Sequence, residues 1–348
     1  MGVRVFVKKL IYFKLPHIPN FTRARQYDKT EVPASMLAIK ENEILANHST
    51  FKIGGPAKYF TVVESKKELI EAIDFAEKRN LPFFVLGEGS NILYRDKGYN
   101  GLAVKIRIQH IKAQNSEIIA GAGLPFSKLI MESVGAGLTG LEWGMGIPGT
   151  VGGAAAGNAG AYGHSISEFV KNISVLSLRG GGSAGRQIKN YPVGKCDFIY
   201  RGSRFKKSDN REIILEVGFN LEKGDQEKSK KIIQGVLEER RNKSVPYPSA
   251  GCVFKNIIID ELKNKEGFLK LIPREKIKGG KFPAGWLIEN CGLKGRQING
   301  AKIAEEHANY IVNAGGAASG DVIKLIGLCK QKTREKFNLD LEEEIVVM

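Results

Sequence analysis

The glycine-rich stretch from residue 144 to residue 163 constrains this chain more than any other segment. It reads GMGIPGTVGGAAAGNAGAYG and contains eight glycines and five alanines. With so few large side chains it cannot build a core by itself, but its backbone can approach a ligand closely and present many N–H groups. Converging N–H groups bind anionic oxygen, most often that of phosphate. The stretch therefore predicts a phosphate cradle, with a packing interface of small residues as the alternative.

The same stretch contains the pattern G-x-G-x-x-G at Gly144, Gly146 and Gly149, and Glu168 lies near the distance expected of a ribose-binding acid. A Rossmann dinucleotide site also needs a β-strand directly before this pattern and an amphipathic helix after it. Residues 137–143 do not resemble a buried strand, and glycine and alanine continue where the helix should be. A Rossmann site is therefore rejected here.

A second glycine-rich turn follows a predicted β-α-β unit. Residues 59–63 are typical of a strand, Ser65–Glu68 of a capping box that opens a helix, and residues 83–86 of a buried strand. The turn itself, residues 87–91, reads GEGSN and is followed by Ile92, so the Rossmann pattern fails here too. Two glycine-rich turns without a Rossmann unit indicate a dinucleotide held by a different fold.

Composition excludes some classes of protein. A length of 348 residues predicts two or three domains, and no segment approaches the roughly 20 apolar residues of a membrane span. No signal peptide is evident. The four cysteines form no C-x-x-C pair, which argues against zinc and for reduced thiols in the cytoplasm. The net charge of +16 suits an anionic substrate, and no specific nucleic-acid-binding signature accompanies it.

Residues 1–40 carry eight lysines or arginines against two acidic residues and show no clear periodicity. They predict a poorly ordered basic extension, and Met36 is an alternative translation start. Weak contact of this extension with an anionic surface is the competing hypothesis.

Four motifs carry a resemblance to a known family. They are TFKIGGPA at 50–57, LGEGSNIL at 86–93, GIPGTVGG at 146–153 and NAGAYG at 158–163. Together they resemble the bacterial UDP-N-acetylenolpyruvoylglucosamine reductase family. The resemblance implies an α+β fold: a two-lobed FAD-binding domain of the vanillyl-alcohol-oxidase (PCMH) type, followed by a C-terminal α+β substrate-binding domain.

The domain boundaries implied by the resemblance are 41–221 for the FAD domain, with lobes at about 41–103 and 104–221. The substrate-binding domain spans 228–340, and residues 341–348 form a terminal strand. FAD is expected to bind non-covalently and without a metal. The implied contacts are Ile53, Gly54, Gly55, Leu86, Gly87, Gly89, Ser90, Asn91, Gly146, Ile147, Pro148, Gly149, Thr150, Gly152, Gly153, Asn158, Gly160, Ala161 and Tyr162.

Three residues fall on the catalytic positions of the family. Arg201 lies in YRGSRFK, Cys252 in PSAGCVFKN and Glu344 in the terminal LEEEI, where glutamate at 343 replaces the family's proline. The resemblance implies that Arg201 binds the substrate carboxylate, that Glu344 is a partner acid with a raised pKa, and that Cys252 protonates C2. Outside this motif a buried structural cysteine would be the preferred interpretation of Cys252.

The expected substrate contacts are Tyr200, Arg240, Lys243, Lys255, Asn256, Lys294 and His307. Among them, Arg240 and Lys243 are candidates for the UDP phosphates. Residues 257–281 depart from the family pattern as a charged insert. The short link from Lys206 to Arg240 predicts the subtype without a closing tyrosine loop.

The implied activity is NADPH-dependent reduction of an enolpyruvyl UDP-sugar to a lactyl ether in peptidoglycan precursor synthesis. Another FAD-dependent oxidoreductase of the same superfold is the main alternative. A non-enzymatic anion or nucleic-acid binder is the other class, motivated only by the charge.

Overall fold

The computed structural model describes residues 37–178, 185–207 and 211–348. Met36 and all of the predicted N-terminal extension before residue 37 lie outside them. Within the described part of the chain, no helix has the length and apolar content needed to cross a membrane.

The first lobe is a four-stranded sheet with the order β1-β2-β5-β3. Strands β2, β3 and β5 are parallel, and β1 pairs with β2 in the antiparallel sense. The helix α1 connects β2 to β3. The elements are β1 (Ile39–Ile44), β2 (Pro56–Val63), α1 (Lys66–Glu77), β3 (Phe83–Leu86), β4 (Ile92–Leu93) and β5 (Tyr99–Ile106).

The second lobe is an antiparallel five-stranded sheet with the order β12-β11-β13-β7-β6. Its helix α3 is six residues long and ends with the C-cap Gly157, because the next residue, Asn158, has a left-handed backbone with a φ of +42°. The elements are β6 (Ile111–Gln114), β7 (Glu117–Gly121), α2 (Phe126–Gly135), β8 (Leu138–Thr139), α3 (Val151–Ala156), β9 (Gly160–Ala161), β10 (His164–Ser165), β11 (Val170–Ser177), β12 (Gln187–Pro192), β13 (Glu212–Asn220) and β14 (Glu222–Lys223).

In the C-terminal part, helix α7 packs on a four-stranded antiparallel sheet with the order β15-β20-β19-β18, whereas helix α4 packs against α2 and β8 of the second lobe. The elements are α4 (Gln226–Asn242), β15 (Ser249–Cys252), β16 (Ile257–Ile258), α5 (Lys265–Leu269), β17 (Lys281–Phe282), α6 (Ala284–Asn290), β18 (Gln297–Ile298), β19 (Ala301–Ile303), β20 (Tyr310–Asn313), α7 (Ser319–Phe337) and β21 (Val346–Val347). The predicted α+β fold class is confirmed; the exact domain boundaries stay a prediction.

The starts of helices α4 and α7 are not evident from local composition. Helix α4 begins at Gln226, within a segment that its charge marks as a linker, because Asp225 caps it and accepts from the Lys228 N–H at 2.7 Å. Helix α7 is not capped by Ser319, which is its first residue. The Ser319 hydroxyl instead donates to Asp96 at 2.7 Å. Local side-chain partners therefore set both starts.

The C-terminal segment is also shorter as a strand than predicted, because it changes partner along its length. The Glu344 N–H donates to the Val253 carbonyl at 2.7 Å, whereas the Val346 N–H donates to the Asn91 carbonyl at 2.9 Å. Only Val346–Val347 forms a strand, parallel to β4. This change of partner places Glu344 between the cysteine-bearing strand β15 and the glycine-rich turn 87–91.

Candidate active site

A cavity of about 390 Å³ lies where both glycine-rich turns meet the C-terminal part. Its walls combine backbone from the two turns with charged and nucleophilic side chains from distant segments. The charged, thiol and phenol side chains in its lining include Arg201, Lys206, Arg240, Cys252, Tyr310 and Glu344. The structure thus brings the three residues predicted to be catalytic to one cavity.

Two glycines of the turn 87–91 lie too close to neighbouring atoms to carry a side chain without a shift of those atoms. Gly89 has a φ of +64°, and a Cβ there would lie 2.1 Å from the His48 carbonyl oxygen. A Cβ on Gly87 would lie 2.5 Å from Thr150 Oγ1. The Ser90 hydroxyl donates to the Pro148 carbonyl at 2.9 Å and so joins the two turns. This narrow backbone cradle fits the phosphates of a dinucleotide such as FAD.

Arg201 is held by a tight turn in a left-handed backbone conformation, with a φ of +56°. Asn158 Nδ2 donates to the Ile199 carbonyl at 2.9 Å, and the Ser203 hydroxyl donates to the Ala156 carbonyl at 2.8 Å. Both contacts tie the turn to the glycine-rich stretch 144–163. A non-glycine residue in this conformation carries strain, which is common where a side chain is positioned for function.

Glu344 and Arg201 form a partly buried ion pair. Arg201 Nε lies 3.0 Å from Glu344 Oε1, although the N–H is not directed at that oxygen. Burial raises the pKa of the Glu344 carboxyl and outweighs the opposing effects of Arg201, Lys206 and Lys255. The Lys206 ammonium donates to the Arg201 and Glu344 carbonyls, each at 3.4 Å. The carboxyl can therefore exist in its protonated form near this cluster of cations.

Cys252 ends strand β15 after an irregularity in its pairing with β20. Gly251, with a φ of +78°, allows this bulge, which directs the cysteine into the cavity. Burial, followed by the charge of Glu344, raises the pKa of the Cys252 thiol to about 12, although Arg201 opposes the shift. The thiol therefore stays protonated at neutral pH and can act as an acid.

Arg240, in the last turn of α4, is an unsatisfied cation at the cavity wall. Its Nε and Nη2 atoms are buried and have no hydrogen-bond partner in the described part of the chain. The guanidinium lies 5.3 Å from the centre of the Tyr162 ring. Buried guanidinium nitrogens that lack hydrogen-bond partners within the described residues are costly, so this arrangement favours binding of an anion.

A second cavity, of about 720 Å³, continues from the first and shares Gly160, Ala161 and Arg201 with it. One wall is a hairpin of the insert, in which Lys278 and Lys281 pair across Gly279 and Gly280. Both glycines have positive φ, as a type I′ turn requires.

This hairpin presents Lys276, Lys278 and Lys281 to the second cavity. The Lys281 ammonium lies 5.1 Å from the centre of the Tyr200 ring. The acid in the cavity lining, Glu168, is engaged elsewhere: it accepts from the Ser165 N–H at 2.6 Å. The wall is therefore positively charged, and its cations favour an anionic ligand.

The predicted site residues divide into four groups. Those lining the first cavity are Gly87, Gly89, Ser90, Asn91, Ile147, Pro148, Gly149, Thr150, Gly153, Gly160, Ala161, Arg201, Arg240, Cys252 and Glu344. Asn158, Tyr162, Tyr200 and Asn256 line the second, and Leu86 and Gly152 line a smaller cavity of about 130 Å³. Ile53, Gly54, Gly55, Gly146, Lys243, Lys255, Lys294 and His307 line none of these three cavities.

The last group has other contacts. Lys243 pairs with Glu239, Lys255 with Glu342, and Lys294 with Glu289 at 3.0 Å. Burial lowers the pKa of His307, so this imidazole is neutral at pH 7. Gly55 packs so closely that a Cβ would lie 2.0 Å from the Asp96 carbonyl oxygen. Their predicted ligand contacts stay predictions.

Sequence reasoning missed three features of the cavities: Lys206, Tyr310 and the lysines of the insert hairpin. Lys206 ends the same YRGSRFK segment that contains Arg201, so the motif itself could have indicated it. Tyr310 is the first residue of a short strand, before two buried residues, and gives no separate signal. The hairpin lysines resemble a solvated loop until the fold brings them to the cavity.

Two family models match parts of this chain. A family model for the FAD-binding domain matches residues 57–181, and a model for the C-terminal domain of UDP-N-acetylenolpyruvoylglucosamine reductase matches residues 243–348. The fold and the cradle thus define an FAD-binding oxidoreductase.

The chain belongs to the UDP-N-acetylenolpyruvoylglucosamine reductase family. It is 36% identical to that reductase from Alkaliphilus oremlandii over 310 residues, which is 88% of this chain and 92% of the relative. The reductase from Geotalea uraniireducens is also 36% identical, over 89% of this chain and 94% of the relative. The crystal structure of the Thermus caldophilus reductase matches with a TM-score of 0.68 at 29% identity and covers 89% of this chain and 98% of that chain.

Proposed function

We propose that this enzyme reduces UDP-N-acetylglucosamine enolpyruvate to UDP-N-acetylmuramate with electrons from NADPH, and that it acts in the cytoplasm. The observation that carries the proposal is the convergence of Arg201, Cys252 and Glu344 on the cavity that the glycine-rich cradle borders. Family membership supports the reaction, and the cavity supplies groups suited to each of its steps.

The cradle residues would hold FAD, with the turns 87–91 and 146–153 on its pyrophosphate. When bound, FAD would supply the redox chemistry, as the hydride carrier between NADPH and C3 of the enolpyruvyl group. The glycines at 87 and 89 admit no side chain, which suits close approach of a cofactor to the backbone. The peptide groups of these turns present N–H dipoles to phosphate oxygens.

Arg201 binds the substrate carboxylate. Hydride addition at C3 leaves negative charge at C2, which spreads onto this carboxylate. A guanidinium offers planar, paired donors for that charge, and its fixed position in the strained turn avoids reorganisation during the reaction. Protonated Glu344 adds a further hydrogen bond to the developing enolate, and its raised pKa favours that protonated form.

Cys252 supplies the proton that C2 takes up. Its thiol is directed into the cavity by the bulge at Gly251 and stays protonated because burial raises its pKa. A thiol is a stronger acid than a serine hydroxyl in the same environment. We therefore place the chain in the subtype with a cysteine donor and no closing tyrosine loop.

The basic walls bind the UDP part of the substrate. The buried Arg240 guanidinium and the hairpin lysines Lys276, Lys278 and Lys281 lie around two cavities that meet at Arg201. A diphosphate on this side would leave the enolpyruvyl carboxylate free to reach Arg201. The domain boundaries 41–221 and 228–340 would then separate a cofactor unit from a substrate unit.

The test is the flavin spectrum of the purified protein under anaerobic conditions. NADPH should bleach the flavin, and only the enolpyruvyl UDP-sugar should restore its colour. Bleaching without reoxidation by this substrate would contradict the substrate assignment and favour another FAD-dependent oxidoreductase. A colourless protein that cannot be reconstituted with FAD would contradict the cofactor assignment as well.

A further inference from the structure

We propose that Tyr310 is a positioning residue for Cys252: its hydroxyl donates a hydrogen bond that stabilises the thiolate formed during proton transfer, and then returns a proton to that thiolate. This inference rests on the proposed role of Cys252 as proton donor. It adds a residue outside the motifs that carry the family resemblance.

The sheet register brings the two side chains together. Cys252 in β15 lies directly opposite Tyr310 in β20 in an antiparallel pair. Directly opposed residues have Cβ atoms about 4.5–5.5 Å apart on the same face of a sheet. Both residues line the same cavity. The contact is therefore built into the strand pairing rather than into a mobile loop.

The charges around the pair favour a tyrosine that donates and a thiolate that accepts. Tyr310 and Asn309 stabilise the ionised form of Cys252 by hydrogen bonds, and Arg201 does so by its charge, whereas Glu344 opposes it. Burial, followed by the proximity of Cys252, raises the pKa of Tyr310 to about 12, against the effect of Arg240. The phenol thus remains a protonated donor at neutral pH.

The proton balance follows directly. The Cys252 S–H bond breaks as a C–H bond forms at C2, which leaves a thiolate. The Tyr310 O–H proton then moves to the sulfur, and the phenolate takes a proton from solvent water at the cavity. Each turnover consumes one solvent proton and restores both side chains. No other oxidant, reductant or co-reactant is needed for this step.

The experiment compares Tyr310→Phe with the parent FAD-loaded enzyme, using Tyr59→Phe as control because Tyr59 packs against Phe75 in the first lobe. The first readout is the rate at which iodoacetamide alkylates Cys252 at fixed alkaline pH, measured by mass spectrometry of its peptide. Loss of a hydrogen bond to a charged group should slow alkylation about 10- to 100-fold. An unchanged alkylation rate would overturn the proposal.

The second readout is reoxidation of the NADPH-reduced enzyme by the enolpyruvyl UDP-sugar. Tyr310→Phe should slow reoxidation by about tenfold or more, and leave reduction by NADPH and flavin content unchanged. In a Cys252→Ala background it should have no further effect, because Tyr310 acts through Cys252. A further tenfold loss there would show a role independent of the thiol and overturn the proposal.

The two readouts separate this inference from the proposed function. If the substrate never reoxidises the parent enzyme, or if Cys252→Ala reoxidises normally, the proposed function fails. The alkylation measurement still tests the Tyr310–Cys252 contact in either case, since it requires no turnover.

Discussion

The glycine-rich cradle and the catalytic cluster border the same cavity but are built in opposite ways. The cradle is made of backbone from two continuous stretches, and its shape depends on side chains being absent at positions such as Gly89. The cluster is made of side chains from residues 201, 252 and 344, which the fold brings together from distant parts of the chain. The cradle therefore suits a ligand by its shape, whereas the cluster suits one by its charges.

The two regions are nevertheless linked by hydrogen bonds. Asn91 in the cradle donates to the Glu344 carbonyl at 3.1 Å, and Asn158 fixes the turn that carries Arg201. Both asparagines belong to motifs assigned to the cofactor. They transmit the position of the backbone cradle to the charged side chains, so the two regions are distinct in chemistry but not independent in geometry.

The largest expected effect belongs to a substitution that removes the proposed proton donor and leaves the glycine-rich cradle unchanged. Cys252→Ala should slow reoxidation by the enolpyruvyl UDP-sugar by about 10²–10⁴-fold, since loss of a general acid has that magnitude. Reduction by NADPH should be unchanged, because the cradle remains intact. Stopped-flow measurement of the two half-reactions separates these effects.

Cys291→Ala is the matched control, because Cys291 lies in the C-terminal part and lines none of the three cavities. It should leave both half-reactions within twofold of the parent, an estimate that follows from the small effects usual for partly exposed sites. Equal losses in reduction and reoxidation for Cys252→Ala would break the distinction between the two regions.

The second prediction concerns the shape of the cradle, which a single added methyl group should disrupt. Gly89→Ala should abolish tight FAD binding and lower the free energy of unfolding by more than about 2 kcal/mol, because it adds both left-handed strain and a contact 2.1 Å from the His48 carbonyl. Flavin absorbance per protein and a denaturant titration measure the two effects.

Gly137→Ala provides the control for this prediction. Gly137 has a φ of +71°, close to that of Gly89, but its Cβ would meet no atom within 4 Å. It should lower the free energy of unfolding by only about 1–2 kcal/mol and retain FAD. If both variants lose FAD equally, strain rather than the close approach of the backbone explains the cradle glycines.

The sequence predicts the glycine-rich cradle better than it predicts the charged cluster. The cradle could be predicted because the small residues of 144–163 indicate close backbone approach without information from the rest of the chain. The strand Phe83–Leu86 was predicted with its exact bounds for a similar reason, since a short apolar run is bounded by Pro82 and Gly87. The first turn of helix α4 has no such local signal, because it is polar and is held by a contact of Ser229 with Glu142 at 2.5 Å.

The cluster could be predicted only through motif resemblance. Nothing in the sequence near Glu344 indicates that the chain changes partner there and so points this residue at Arg201. Tyr310 and the hairpin lysines were missed because their proximity to the site depends on strand register and on a long-range fold of the insert. Long-range geometry of this kind has no local signal in residue pattern.

The third prediction concerns pH and the charged cluster. If protonated Glu344 assists, reoxidation should fall about tenfold per pH unit once the pH exceeds its raised pKa, because the carboxyl then ionises. Below that pKa the rate should be constant. Glu344→Gln should remove this descending limb, since an amide keeps a donor and does not titrate. A limb that persists unchanged in Glu344→Gln would assign it to another group.

The smallest expected effect sharpens the electrostatic half of the comparison. Two buried nitrogens of Arg240 have no hydrogen-bond partner among the residues that the structure describes, so the ligand-free protein is less stable than it could be. Arg240→Met should raise the free energy of unfolding of the ligand-free enzyme by about 1 kcal/mol while raising the KM for the UDP-sugar. Lys230→Met is the control, because the exposed Lys230–Glu227 pair of the same helix contributes little to stability. Denaturant titrations without substrate and steady-state kinetics measure the two quantities.

A gain in stability together with weaker substrate binding would mean that this cation is kept for the ligand, as expected for a charged site. A loss of stability in Arg240→Met would mean instead that its aliphatic part is a packing element beside Gly146, and the phosphate role of Arg240 would be withdrawn.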